Sequence, residues 1–257
     1  MGFVQVERDG GVVTITLSAP EKKNAVPQDA WPVLAAELRE VANRPEDRCV
    51  VLTGAGDDFC SGADVSTMEP AADRHVLQVM REFGDAIEAL YTVPQPVIAR
   101  VAGVCVGVGL NMALCCDLVI AADDARFSEI FARRGLSIDG GGSWSLPRVV
   151  GMLKAKELAL LADILPADEA ERIGLVTRVV PRAELDATVA ELAARLAAGP
   201  TLALSMTKRL LNQSSQVTLA QALEAEAQAQ AVNFGTRDTA EAMTAFMERR
   251  EPRFEGR

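Results

Sequence analysis

Apolar and polar residues alternate with period two along Phe3-Val4-Gln5-Val6-Glu7 and again along Val12-Val13-Thr14-Ile15-Thr16-Leu17, on either side of Asp9-Gly10-Gly11. That pattern predicts a β-hairpin. Over residues 27–44 the period lengthens: Val33, Leu34, Leu38 and Val41 fall at helical spacing behind Pro27, near the expected helix start. Cys49-Val50-Val51-Leu52-Thr53 is an unbroken apolar run closed by Gly54-Ala55-Gly56, which predicts a strand buried on both faces. A helix is expected from His75 to Tyr91, ahead of Pro94 and Pro96. Val97-Ile98-Ala99-Arg100-Val101 and Asp117-Leu118-Val119-Ile120-Ala121-Ala122 then read as strands, with a glycine-rich segment and a short helix over 111–116 between them. Strands alternating with helices call for crossover connections and a largely parallel sheet, hence an α/β fold.

From about residue 151 helical patterns dominate, interrupted by Leu175-Val176-Thr177-Arg178-Val179-Val180 and by breaks near 212–216 and 235–236. Residues 219–232 are rich in alanine, which suits close helix packing, either against another subunit or against the chain's own sheet. No internal repeat or low-complexity linker is visible. At 257 residues with 49% apolar side chains, the chain has the material for a large core.

Charge and residue counts then remove whole classes of function. A net charge of −10, with basic residues adjacent only in pairs, argues against a nucleic-acid partner. A single histidine, His75, excludes His₃ and Cys₂His₂ metal sites and leaves a Ser-His-Asp triad without a suitable base. Nothing suggests a metal or redox cofactor. The five cysteines lack a Cys-x-x-Cys pair, and all but Cys60 sit in apolar runs. No apolar run is long enough to span a membrane, and the first residues lack the charge and hydropathy of a leader, so a cytoplasmic protein is expected.

Two glycine-flanked turns draw attention. One is Gly54-Ala55-Gly56-Asp57-Asp58-Phe59-Cys60-Ser61-Gly62-Ala63-Asp64-Val65; the other is Gly103-Val104-Cys105-Val106-Gly107-Val108-Gly109-Leu110-Asn111. Each follows a buried strand, and each can turn a backbone N–H outward, which is what an oxyanion hole requires. Tight strand-to-helix packing alone would also account for either turn. The second is neither a dinucleotide nor a phosphate-loop fingerprint, because its glycine spacing differs and no Lys-Ser/Thr follows.

Phe59-Cys60-Ser61-Gly62-Ala63-Asp64-Val65, followed by the segment 103–117, resembles the crotonase (enoyl-CoA hydratase/isomerase) family. So do Lys23-Asn24-Ala25, Ala125-Arg126-Phe127, Gly135-Leu136, Gly141-Gly142, Leu146-Pro147-Arg148 and Glu251-Pro252-Arg253-Phe254, in order and at the expected spacing. The resemblance implies a superhelix of ββα units over 1–199 that carries the acyl-CoA site. It also implies a helical C-terminal region over 200–257 that covers the active site and packs a homotrimer, commonly paired into a hexamer. The substrate would be a coenzyme A thioester, with coenzyme A part of the substrate and no separate cofactor. Its carbonyl oxygen would lie between the backbone N–H groups of Ala63 and Val108, although relatives usually carry glycine at the second place. Lys23, Ala25, Ala63, Asp64, Val65 and Ser66 would cradle the adenine and pantetheine parts, with Lys22 and Lys23 near phosphate. Asp64 and Asp117 are expected to tie loops rather than do chemistry.

The reaction turns on the acid/base group. Hydratases of the family hold water with two glutamates, and the corresponding positions here are Asn111 and Phe131. Neither takes a proton at neutral pH, so ordinary hydration is disfavoured. Asp139, eight residues past Phe131, stands where isomerase branches place their working carboxylate. A single base there can take a proton from C2 and return it to C4, in a pocket that Phe131, Val108 and Trp144 keep dry. Asn111 would hydrogen-bond the base or the enolate, unless it is a local cap. Asp139 could instead cap the following helix, and Glu129 is a second candidate base that would need a local shift to reach the pocket. Three readings therefore stand: an acyl-CoA double-bond isomerase with Asp139 as proton shuttle; a hydratase, or a hydrolase or dehalogenase-type enzyme with Asp139 as nucleophile; and a non-catalytic acyl-CoA-binding protein.

Overall fold

The computed structural model describes residues 2–67 and 75–257. Strands β1 (Val4–Asp9) and β2 (Val12–Leu17) pair antiparallel, with Asp9 opposite Val12. Gly10 and Gly11 make the two-residue turn with φ of 55° and 84°, a left-handed pair that matches strand twist and favours glycine. The later strands are β3 (Cys49–Gly54), β4 (Val97–Val101), β5 (Val104–Val106), β6 (Leu118–Ala122), β7 (Arg126–Ser128), β8 (Leu165–Pro166) and β9 (Arg178–Val180).

These strands form two sheets. The larger runs in the order β1-β2-β3-β4-β6-β9 and is parallel from β2 onward; the smaller runs β5-β7-β8. Helices α1 (Ala30–Ala42), α2 (Val76–Thr92) and α3 (Val108–Leu114) cross between successive strands of the large sheet. The pairs β4-β5 and β6-β7 each send one strand to the large sheet and the next to the small one. This is a geometric repeat without a sequence repeat. It winds the chain into the ββα superhelix, and β5 runs inside the segment that reads from sequence as a plain glycine-rich turn.

One face of the large sheet (Val13, Ile15, Leu17, Val50, Leu52, Ala99) packs on α1 and α2 through Leu34, Leu38, Phe83 and Leu90. Its other face (Cys49, Val51, Ile98, Ile120) is covered by Leu185, Val189 and Ala193, which belong to the helix Leu185–Ala197. Helices on both sides explain why β3 is buried at every position and apolar from Cys49 to Leu52.

In chain order the remaining helices are α4 (Gly142–Val150), α5 (Met152–Leu161), α6 (Ala167–Arg172), α7 (Leu185–Ala197), α8 (Thr201–Gln213), α9 (Leu219–Phe234) and α10 (Arg237–Glu248). The alanine-rich α9 does not cover the sheet. It packs chiefly on α8 and α10 and buries only Ala229, while Leu219, Leu223 and Phe234 stay exposed. Its alanines carry too little apolar surface to compete with α7 for the sheet. The expected helix over 111–116 starts earlier, at Val108, because Gly107 (φ 57°, ψ −130°) ends the preceding strand abruptly. Among the described residues, no helix is long and apolar enough to cross a membrane.

Candidate active site

The two glycine turns meet at a cavity of about 130 Å³ lined by Gly62, Ala63, Asp64, Gly107, Val108, Phe131 and Asp139. Pairing with Val26 fixes the first turn. The Val26 N–H donates to the Gly62 carbonyl at 2.9 Å, and the Asp64 N–H donates to the Val26 carbonyl at 2.8 Å. In this parallel bridge the partners of Val26 are the neighbours of Ala63, so the N–H of Ala63 itself points away from the pairing. The second turn is held by the Gly107 N–H, which donates to the Ser128 carbonyl at 2.8 Å. The next N–H, of Val108, opens α3, where no intrahelical acceptor exists. Among the described residues neither the Ala63 nor the Val108 N–H has a main-chain acceptor. Two unspent donors therefore stand on two turns that share one cavity.

Glycine is required where the turns touch. Gly62 has φ of 106° and Gly107 φ of 57°, both in the left-handed region that favours glycine, and the two turns lie in ordinary van der Waals contact. These contacts set the spacing of the donors through backbone packing rather than through side chains.

Asp139 reaches the cavity from the turn before α4. It does not cap that helix. Gly141 is the cap residue, and Asp139 contributes only its carbonyl, which accepts from the Gly142 N–H at 3.0 Å. Its Oδ1 is buried with no partner among the described residues. Burial pushes the carboxyl up to about 6. The buried apolar wall beside it comes from Trp31, Phe83, Val108 and Phe131. Trp31 and Phe83 stack edge-on, with centroids 4.6 Å apart. Both sit at apolar helix positions that read from sequence as ordinary core, so only the fold reveals them as cavity wall.

Two expectations change. Trp144 is not part of this wall: it packs edge-on against Tyr91 at 5.1 Å, under the Arg148 guanidinium. Gly142 is the α4 residue that meets Asn111, and Trp144, two residues on, faces the other side of the helix. Asn111 is fully buried but does not line the cavity. Its Nδ2 donates to the Asp139 carbonyl at 2.8 Å and to Glu129 Oε2 at 3.4 Å, so it meets Asp139 through the main chain. Glu129 itself is 1% exposed and lies behind the cavity wall, next to Asn111. Burial pushes its carboxyl up to about 8, against the lowering effect of the Asn111 hydrogen bond. The count that places Phe131 at the cavity also places Glu129 two residues earlier, yet sequence alone does not show that Asn111 would reach back to it.

Around the mouth, Asp64 accepts from Lys22 Nζ at 2.7 Å and from the Ser66 N–H and hydroxyl. Lys22 is thus occupied by Asp64, whereas Lys23 is exposed and donates nothing from its side chain among the described residues. The Lys23 carbonyl accepts from the Ser61 N–H, which ties the Lys23-Asn24-Ala25 segment to the first turn. Val65 lines the cavity; Lys23, Ala25 and Ser66 flank it through their chain neighbours. Asp117 accepts from the Val97 N–H and from Lys208, and so ties loops. His75 caps α2 by accepting from the Leu77 N–H. Among the described residues no cluster of His, Cys, Asp or Glu is arranged to hold a metal ion.

Residues 7–257 match the family described as enoyl-CoA hydratase/isomerase. The chain belongs to that family, the crotonases. It is 37% identical to the 1,2-epoxyphenylacetyl-CoA isomerase of Escherichia coli, with all of both chains covered. It is 36% identical to the short-chain-enoyl-CoA hydratase of Clostridium acetobutylicum, covering 96% of this chain and 95% of that one. The crystal structure of the enoyl-CoA hydratase from Bacillus anthracis superposes with a TM-score of 0.94 at 31% identity, covering all of both chains. This crotonase is therefore an acyl-CoA enzyme by family, with hydratases and an isomerase among its relatives.

Proposed function

We propose that this crotonase isomerises the double bond of an acyl-CoA thioester through an enolate, with Asp139 as the single proton carrier. The observation that carries this reading is the Asp139 carboxylate at the wall of an apolar cavity, one oxygen unpaired, in the cavity that the Ala63 and Val108 N–H groups share. The thioester oxygen accepts from those two N–H groups. Asp139 takes the proton from C2, the negative charge moves to the thioester oxygen, and the same carboxyl returns the proton to C4. Each preorganised donor at the oxygen is worth about 10²–10³ in rate. Burial makes Asp139 a stronger base than an exposed carboxylate and keeps out the water that would compete for C3.

Both hydratase positions, Asn111 and Phe131, lack a titrating group, and Glu129 lies behind the wall. The relative named 1,2-epoxyphenylacetyl-CoA isomerase favours proton-shuttle chemistry, while the relatives named hydratase favour water addition. The thioester is the substrate, and the reaction as drawn uses no other cofactor. Residues 1–199 would form the catalytic core. The apolar residues left exposed on α9 and α10, among them Leu219, Leu223, Phe234 and Phe246, suit the packing of 200–257 against other copies in a trimer or hexamer.

The test is purified protein with 3-enoyl-CoA and, separately, 2-enoyl-CoA. New conjugation absorbance from the first supports isomerisation. Loss of conjugation from the second, without gain from the first, makes the enzyme a hydratase. Coenzyme A binding without turnover of either thioester overturns both.

A further inference from the structure

Glu129, on the segment after β7, is a buried carboxyl that the mechanism above does not use. Three buried oxygens around it lack partners among the described residues: Glu129 Oε1, Asn111 Oδ1 and Asp139 Oδ1. Buried acceptors left without a donor are costly, and a proton carried by one and donated to another removes the cost. The orientation of the Asn111 amide is fixed by its neighbour: the Asp139 carbonyl can only accept, so the atom 2.8 Å from it must be Nδ2. The second hydrogen of Nδ2 then points to Glu129 Oε2 at 3.4 Å. That leaves Asn111 Oδ1 and Glu129 Oε1 as the two remaining corners of an amide–carboxyl ring.

We infer that Glu129 is a positioning residue: its protonated carboxyl closes a ring of two hydrogen bonds with the Asn111 amide, and this ring holds the turn that aims Asp139 at the cavity. Nδ2–H donates to Oε2, and Oε1–H donates to Oδ1. The other Nδ2 hydrogen fixes the Asp139 carbonyl. Gly142 makes room for the same amide, since a Cβ there would lie 2.4–2.6 Å from the Asn111 side-chain atoms. The titratable groups facing Glu129 are Asp139, from the turn before α4, whose charge would repel an ionised Glu129, and Cys105, from β5, which burial keeps a neutral thiol. Burial keeps the carboxyl protonated at neutral pH. Above that range ionisation removes the donated proton, orphans Asn111 Oδ1 and loosens the turn.

The kinetic part of this inference rests on the isomerase reading, whereas the protonation state does not. Infrared difference spectra of the substrate-free protein at neutral pH should show a protonated carboxyl carbonyl band that Glu129→Gln removes. With 3-enoyl-CoA, the wild-type kcat should fall on the alkaline side near pH 8, and Glu129→Gln should abolish that step. Gln keeps a donor and an acceptor, so its neutral-pH kcat should stay within about threefold, while Glu129→Met should lower kcat at least about tenfold with KM little changed. A wild-type spectrum without the band, or an alkaline step that persists in Glu129→Gln, overturns the inference. Failure of the isomerase reading would leave the band in place, so the two failures are distinguishable.

Discussion

Gly109 packs against Cys60 so closely that a Cβ on the glycine would lie 2.5 Å from the Cys60 carbonyl oxygen and 2.8 Å from its Cβ. Cys60 precedes the first glycine turn and Gly109 follows Val108, so this contact clamps together the backbones that carry the two N–H groups proposed to hold the thioester oxygen. Cys60 and Cys105 also form a parallel bridge beneath them. Gly109→Ala should force the turns apart. The expected outcome is a loss of roughly 10²-fold in kcat, the scale of one misplaced oxyanion donor, with a stability loss of about 1–3 kcal/mol from overpacking. Steady-state kinetics and a urea melt check both. Unchanged kcat would show that the turns do not hold the reacting oxygen.

Asp139 must be ionised to take a proton, and burial raises it to about 6. The isomerisation kcat/KM should therefore be flat at neutral pH and fall tenfold per unit well below pH 6, as the base becomes protonated. Asp139→Asn should remove activity while leaving thioester affinity within about threefold, because the N–H donors remain. A pH profile of kcat/KM together with ligand titration of the variant checks this. Activity surviving in Asp139→Asn would place the base elsewhere.

The parallel order, the hairpin and the two glycine turns are legible in the sequence because glycines mark where backbones must approach and unbroken apolar runs mark strands covered on both faces. Less was legible where a residue's role depends on a partner distant in the chain. Trp144 reads as a pocket aromatic by proximity to Asp139, but two residues of helix turn it to the far side. Trp31 looks like core and becomes cavity wall, because α1 and α2 lean over the turns from 30 and 80 residues along the chain. Asn111 and Glu129 share one hydrogen-bond group only after β7 returns beside β5.

The buried Glu129 has a consequence for stability as well as for rate. Its folded carboxyl sits at about 8, while the unfolded one titrates close to the ordinary glutamate value of 4.5. Between those values the folded state binds the extra proton, so this group's contribution is full below about 4.5 and is lost as pH rises through 8. The slope is at most ~1.4 kcal/mol per pH unit. Glu129→Gln, which cannot ionise, should flatten the decline. Thermal melts of both proteins from pH 5 to 8 should converge at the acid end and diverge toward the alkaline end, with the variant the more stable. Parallel curves would mean that Glu129 is charged in the fold.

Asn24 offers a sharper test of how the first turn is anchored. It is fully buried, with φ of 56°, and its side chain serves three strangers in sequence. Oδ1 accepts from the Ala19 N–H at 3.0 Å, and Nδ2 donates to the carbonyls of Ala55 at 2.9 Å and Asp58 at 2.7 Å. Those carbonyls begin the loop that ends in the Ala63 donor. Asn24→Ala should cost ~2 kcal/mol or more by orphaning two half-buried acceptors and one donor. Asn24→Asp keeps the shape and the tolerance of positive φ, but sets a carboxylate against two carbonyls. Its carboxyl should be raised by that environment, so the variant gains stability relative to wild type as acid protonates it and restores one donor. Melts at pH 5 and pH 8 should show the Asn24→Asp deficit shrinking at the lower pH and the Asn24→Ala deficit unchanged. An equal deficit for both variants at both values would mean that volume, not hydrogen bonding, holds the loop.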